Sequence, residues 1–106
     1  MIKSEFCPYI ATLTKIGIVT DSTDHQLDKY PFGTTFEGLV WEFNYPRVKE
    51  RFSLNRSKMH VIFSTSEVRE IIKAKDVTIS DKDGIKHSVV LIITTQNSVY
   101  KLELNS

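Results

Sequence analysis

The feature that most constrains this chain is the run Val89-Val90-Leu91-Ile92-Ile93, set inside residues 76–104. A strand with one wet face alternates apolar and polar side chains, so an unbroken apolar run predicts a central strand buried on both faces. Turn signals flank it on both sides. Asp81-Lys82-Asp83-Gly84 places Asp at the head of a type I turn and Gly where a positive φ is needed. Gln96-Asn97 stands between Thr95 and Ser98 as a two-residue turn. The stretch therefore reads as two hairpins sharing one strand. After the second turn, Tyr100, Leu102 and Leu104 alternate with Lys101 and Glu103, which predicts a strand with one buried face and one wet face. Asp83-Gly84 lacks the repeated acidic ligands and distal Glu of a calcium loop, so the turn reading stands.

Upstream, residues 10–20 have β composition. Leu13 and Val19 share one face, Ile16 and Ile18 the other, and Gly17 marks a bulge or a close backbone approach. Pro8 argues against an uninterrupted central strand in the lead-in before them. Residues 21–33 form a polar loop ending in Tyr30-Pro31-Phe32-Gly33. Asp21, Asp24, His25 and Asp28 in that loop could bind an ion, but their spacing matches no ligand set, and Asp and Ser that cap turns explain them more simply. Residues 34–43 resume strand character, with Trp41 expected in the core. Asn44 and Pro46 then suit a helix start, giving a short helix over 46–54 with Val48 and Phe52 inward, or else a basic loop. Residues 59–63 read as a strand.

Residues 64–75 carry the best helical signal. Ser64 and Glu67 have capping-box spacing, Val68, Ile71 and Ile72 form a stripe, and Lys73 and Lys75 close the segment. The competing reading, an irregular strand through Val68 and Ile71, is the less favoured. The sum is a single domain over residues 1–106 of α+β class, β-dominated. It is expected to be an antiparallel twisted sheet or partly open barrel of about five or six strands with one or two short helices.

Composition bounds the function. A hydrophobic content of 41% with 25% charged residues is that of an ordered globular chain. The single cysteine, Cys7, cannot form an internal disulfide, and no apolar run is long enough for a signal peptide or a membrane span. A cytoplasmic protein without a membrane association is expected, and no sequence signal sets its oligomeric state. No nucleotide loop, zinc signature, CxxC or nucleophile motif is present, so neither a cofactor nor an enzymatic activity is expected. The net charge of +1 conceals a segregation. Residues 1–44 hold 3 Lys against 6 acids, a balance of −3, whereas 45–60 hold 5 Lys or Arg against Glu50 alone, a balance of +4. Arg47, Lys49, Arg51, Arg56 and Lys58, interleaved with Tyr45 and Phe52, could pair phosphates and stack bases. This makes nucleic acid the alternative partner. Tyr30, Phe32 and Tyr45 could equally anchor a protein.

The pattern VIFSTSEVREI followed by LIITTQNSVYKLEL resembles the TS-x-V-x-x-I … T-x-N-S-x-Y-x-L arrangement of small phage and mobile-element proteins of unknown function. The resemblance covers residues 61–104 and implies a virus-encoded accessory protein, of a kind that binds and blocks a host macromolecule. The leading expectation is accordingly a small non-enzymatic binding protein, a phage-type inhibitor of a host or defence protein.

Overall fold

Both hairpins form where their turn residues place them. The protein is described here by a computed structural model covering residues 8–19 and 30–106, so the readings on Cys7 and on Asp21, Asp24, His25 and Asp28 fall outside the described residues. The strands are β1 Tyr9–Ile18, β2 Thr35–Val40, β3 Arg51–Ser57, β4 His60–Asp81, β5 Gly84–Thr95 and β6 Ser98–Asn105. Lys82-Asp83 joins β4 to β5, with Gly84 at φ 118° and the Asp83 N–H donating to Asp81 Oδ1 at 2.8 Å. Gln96-Asn97 joins β5 to β6, and Thr95 supplies the fastening. The Ser98 N–H donates to Thr95 Oγ1 at 3.1 Å, and that hydroxyl donates to the Ser98 carbonyl at 3.0 Å.

Every strand pairs antiparallel with its sequence neighbour, and β1 pairs with β6, closing a six-stranded barrel. Each side chain that points inward meets others across a narrow interior. Ala11, Leu13, Val40, Phe52, Leu54, Val68, Val89, Leu91, Ile93, Tyr100, Leu102 and Leu104 fill it, each aliphatic contributing about 1.5–3 kcal/mol by leaving water. At one mouth Phe36 and Phe63 stack with centroids 4.1 Å apart, and Tyr30 and Tyr100 meet Phe63 edge-on. This aromatic plug closes the barrel at the end where β1 finishes.

The shortest seam is between β2 and β3, where Leu39 with Asn55 is the one register pair. Gly38 lets the two strands approach closely there, because a Cβ would lie 2.7 Å from Leu54 Cγ and 2.8 Å from the Asn55 carbonyl oxygen. Asn44 then rivets the seam. Its Nδ2 donates to the carbonyls of Leu39 (3.2 Å) and Ser53 (2.9 Å), while its Oδ1 accepts the Trp41 N–H at 2.6 Å. Gly17 follows a bulge in β1, where the register slips between Lys15 and Gly17.

The structure corrects four expectations. The central strand is not buried on both faces: Val89, Leu91 and Ile93 point into the barrel, while Val90 and Ile92 lie half-buried outside. Residues 64–75 are not a helix but part of the 22-residue strand β4. Its register slips between Val68 and Glu70, so Val68 and Ile71 both face inward three residues apart, which in sequence imitates a helical stripe. Residues 46–54 are no helix either. The chain is irregular over 41–50, Lys49 takes a positive φ of 76°, and Phe52 reaches the core from strand β3. Trp41 lies beyond the end of β2, half-buried and stacked on Phe43 with centroids 5.5 Å apart, rather than in the core. The fold is thus β-dominated, with no helix among the described residues.

Candidate functional site

β4 and β5 outrun the rest of the sheet. On one side β3 begins at Arg51, paired with Glu67, and the last backbone bonds across that edge join Val68 to Lys49 and Glu50. On the other side β6 ends where Asn105 pairs with Ser88. Residues 75–87 therefore continue as a two-stranded ribbon, which accounts for a molecule 50 Å long but only 28 × 23 Å across. A lone two-stranded ribbon has no core of its own, so its order rests on the turn, the ladder and its attachment to the barrel.

The attachment is polar. His87 Nε2 donates to Asp76 Oδ1 at 2.6 Å, and Lys73 Nζ donates to Asp76 Oδ2 at 3.1 Å. His87 Nδ1 and the Tyr9 hydroxyl share a hydrogen bond at 3.0 Å, which ties the ribbon to the start of β1. The His87 hydrogen bond first, then that from Lys73, holds the Asp76 carboxyl below the usual aspartate range. Tyr45, packed against the core nearby, has its phenol pushed up chiefly by burial. A Tyr–His–Asp chain can relay a proton. Here, however, its Lys partner and its three-strand span fit a fastening, since every member is engaged by another strand or turn of the ribbon root.

The ribbon faces differ. Register places Val77 opposite Ser88, Ile79 opposite Lys86, Lys75 opposite Val90 and Ile72 opposite Ile92, all on the outside. Ile72 is 51% exposed, Val77 38% and Ile79 54%, so with Val90 and Ile92 they make an apolar stripe along the outer surface. The opposite face carries Asp76, Thr78 and Ser80 against Val89, His87 and Ile85.

The residues singled out from sequence do not assemble into one patch. Arg47 and Lys49 lie in the 41–50 segment, whereas Arg56 and Lys58 lie at the β3–β4 turn, at the other end of the barrel. Arg51, at the start of β3, is exposed directly after that segment; at ~3.3 Å per residue, about 20 Å of strand separates it from Ser57. Phe52 is buried in the core, which removes it from the surface, and Tyr30 is half-buried with its ring edge-on to Phe36 and Phe63 in the aromatic plug. Tyr45 is half-buried, and Phe32 stays exposed. Sequence reading passed over Ile72, Val77 and Ile79 as contact residues, because their alternation is that of any hairpin. The missing signal was the absence of a third strand beside them. Among the described residues, no three His, Cys, Asp or Glu side chains group to hold a metal ion.

Comparison with protein-family models, with curated proteins and with solved structures finds no match for this chain.

Proposed function

We propose that this protein is a non-enzymatic binding protein that engages another protein through the outer face of its ribbon. One observation carries the reading: Val77 and Ile79 on the projecting ribbon continue the line of Ile72 on the barrel's outer face, and all three lie exposed outside the core. Exposed aliphatics grouped on a projecting element fit a contact surface, for such groups are costly in water and productive against a partner. The resemblance of residues 61–104 to phage and mobile-element proteins supports a setting in which the partner is a host or defence protein and binding blocks it. Lys75 and Lys86 border the stripe and would orient an approaching acidic rim.

The test is capture from nuclease-treated host lysate by the immobilised protein, beside an Ile72→Glu variant. A stoichiometric protein retained by the wild type and lost by the variant is the expected result. Equal retention by both, or no protein at all, sinks the reading. Arg47→Glu with Arg51→Glu and Lys58→Glu tests the alternative: labelled oligonucleotides that bind the wild type at low salt, and not this variant, would make nucleic acid the partner.

A further inference from the structure

We infer that the free edge of β4 pairs with the same edge of a second copy of this chain, making a two-fold dimer through residues 75–81. The inference moves from the ribbon's face to its edge, and it does not require the heterologous partner proposed above.

The backbone directions come from Ser106. His87 spends its N–H on Ser106 Oγ at 2.8 Å and its carbonyl on the Ser106 N–H at 2.9 Å, both on the β6 side. Thr78 lies opposite His87, and residues facing across a pair that do not bond to each other send their polar groups away from one another. The N–H and C=O of Thr78 therefore point to the other side, the free edge. Alternation sends those of Asp76 and Ser80 the same way. Among the described residues no strand covers this edge, and residues 72–86 are all exposed. An uncovered run of this kind is a template for another strand.

The side chains select the occupant and the register. A two-fold antiparallel pairing must set some residue opposite its own copy. With Asp76 or Lys75 at that position, like charges would meet face to face. With Thr78 opposite Thr78, every outward-facing element is matched. Asp76 meets Ser80, so all three edge-directed residues find partners, with about six backbone hydrogen bonds between the copies. On the outer face, Val77 meets Ile79 and Lys75 meets Asp81, each twice. Neither Lys75 nor Asp81 has an ion-pair partner among the described residues of its own chain. On the outer face of β4 the cation Lys75 lies toward the root and the anion Asp81 at the tip, so antiparallel pairing sets one against the other. The result is a four-stranded sheet whose outer face continues the apolar stripe of both copies, and the isologous contact closes without propagating.

Sedimentation equilibrium of the full chain tests this. The wild type should dimerise with rising concentration. Thr78→Pro removes an edge-directed N–H and leaves the β4–β5 ladder bonds in place, so it should stay monomeric with an unchanged circular dichroism spectrum. Lys75→Glu should weaken the dimer at least about tenfold, and Lys75→Glu with Asp81→Lys should recover most of that loss, which holds the test open if Thr78→Pro fails to fold. A wild type monomeric at every concentration, a dimer equally tight in Thr78→Pro, or a charge exchange that recovers nothing would overturn the inference. Ile72→Glu lies outside the paired segment and should leave dimerisation intact, so loss of the heterologous partner in that variant separates failure of one proposal from failure of the other.

Discussion

β4 is one strand with two lives. Up to Ile71 it belongs to the barrel, where Thr65 and Val68 are buried and Phe63 and Ile71 pack against the core. From Ile72 onward the same backbone, paired just as regularly with β5, buries none of its side chains. The two halves share β-propensity, a partner strand and apolar content, yet only the first is part of a core. Pairing fixes conformation, whereas burial decides what a side chain contributes to stability. An isoleucine on the ribbon is therefore free to serve contact, while one in the barrel is not.

The largest test of that contrast sets Ile93→Asp against Ile85→Asp. Ile93 is fully buried, and an unpaired carboxylate there should cost more than about 4 kcal/mol and abolish the folded state in circular dichroism melts. Ile85 is 68% exposed near the ribbon tip, and its replacement should stay within about 0.5 kcal/mol of the wild type. Comparable losses would erase the distinction between barrel and ribbon. Next comes Gly38→Val, which forces a side chain against Leu54 and the Asn55 carbonyl and should cost about 1–3 kcal/mol in chemical denaturation. Asn44→Ala, which strands the carbonyls it bridges, should fall in the same range of about 1–3 kcal/mol.

Asp76 joins the two regions and titrates. Its carboxyl is held low in the folded state, so its contribution is fully present above the unfolded value of about 3.9 and is lost as pH falls through the lower folded value. Melts of the wild type and Asp76→Asn should therefore differ at neutral pH and converge as pH drops below about 4. A constant difference across that window would show that the fastening does not depend on the charge. The smallest global effect belongs to Gly84→Ala. A side chain at φ 118° costs about 1–3 kcal/mol locally, so ribbon amides should exchange faster while the melting temperature of the barrel stays in place.

Much of this architecture is legible in the residues themselves. Asp81 to Gly84 and Gln96-Asn97 announce their turns because turn chemistry is local, and Tyr100, Leu102 and Leu104 announce their face because a strand's period is two. The bulge at Gly17 was readable for the same reason. Legibility fails where a distant neighbour changes the meaning of a pattern. Bulges spaced Val68 and Ile71 three apart and made a strand look helical. Val90 and Ile92 look like core until the barrel curves and leaves their side outside. Trp41 reads as core by composition, but β2 ends at Val40 and the half-buried ring stacks on Phe43 instead.

The candidate site divides the same way. Its hairpin, its turn and its apolar residues are in the sequence; its exposure is not. That β3 starts only at Arg51 and β6 stops at Asn105, leaving residues 75–87 without a third strand, depends on where the barrel closes. Closure depends in turn on the approach at Gly38 and the Asn44 rivet, contacts between strands that no local pattern records. Sequence by itself determined the two hairpin turns and the alternation of β6, since these follow from neighbours one to four positions away. Only the tertiary structure decided which apolar residues are core and which are surface, because burial depends on everything that surrounds a side chain.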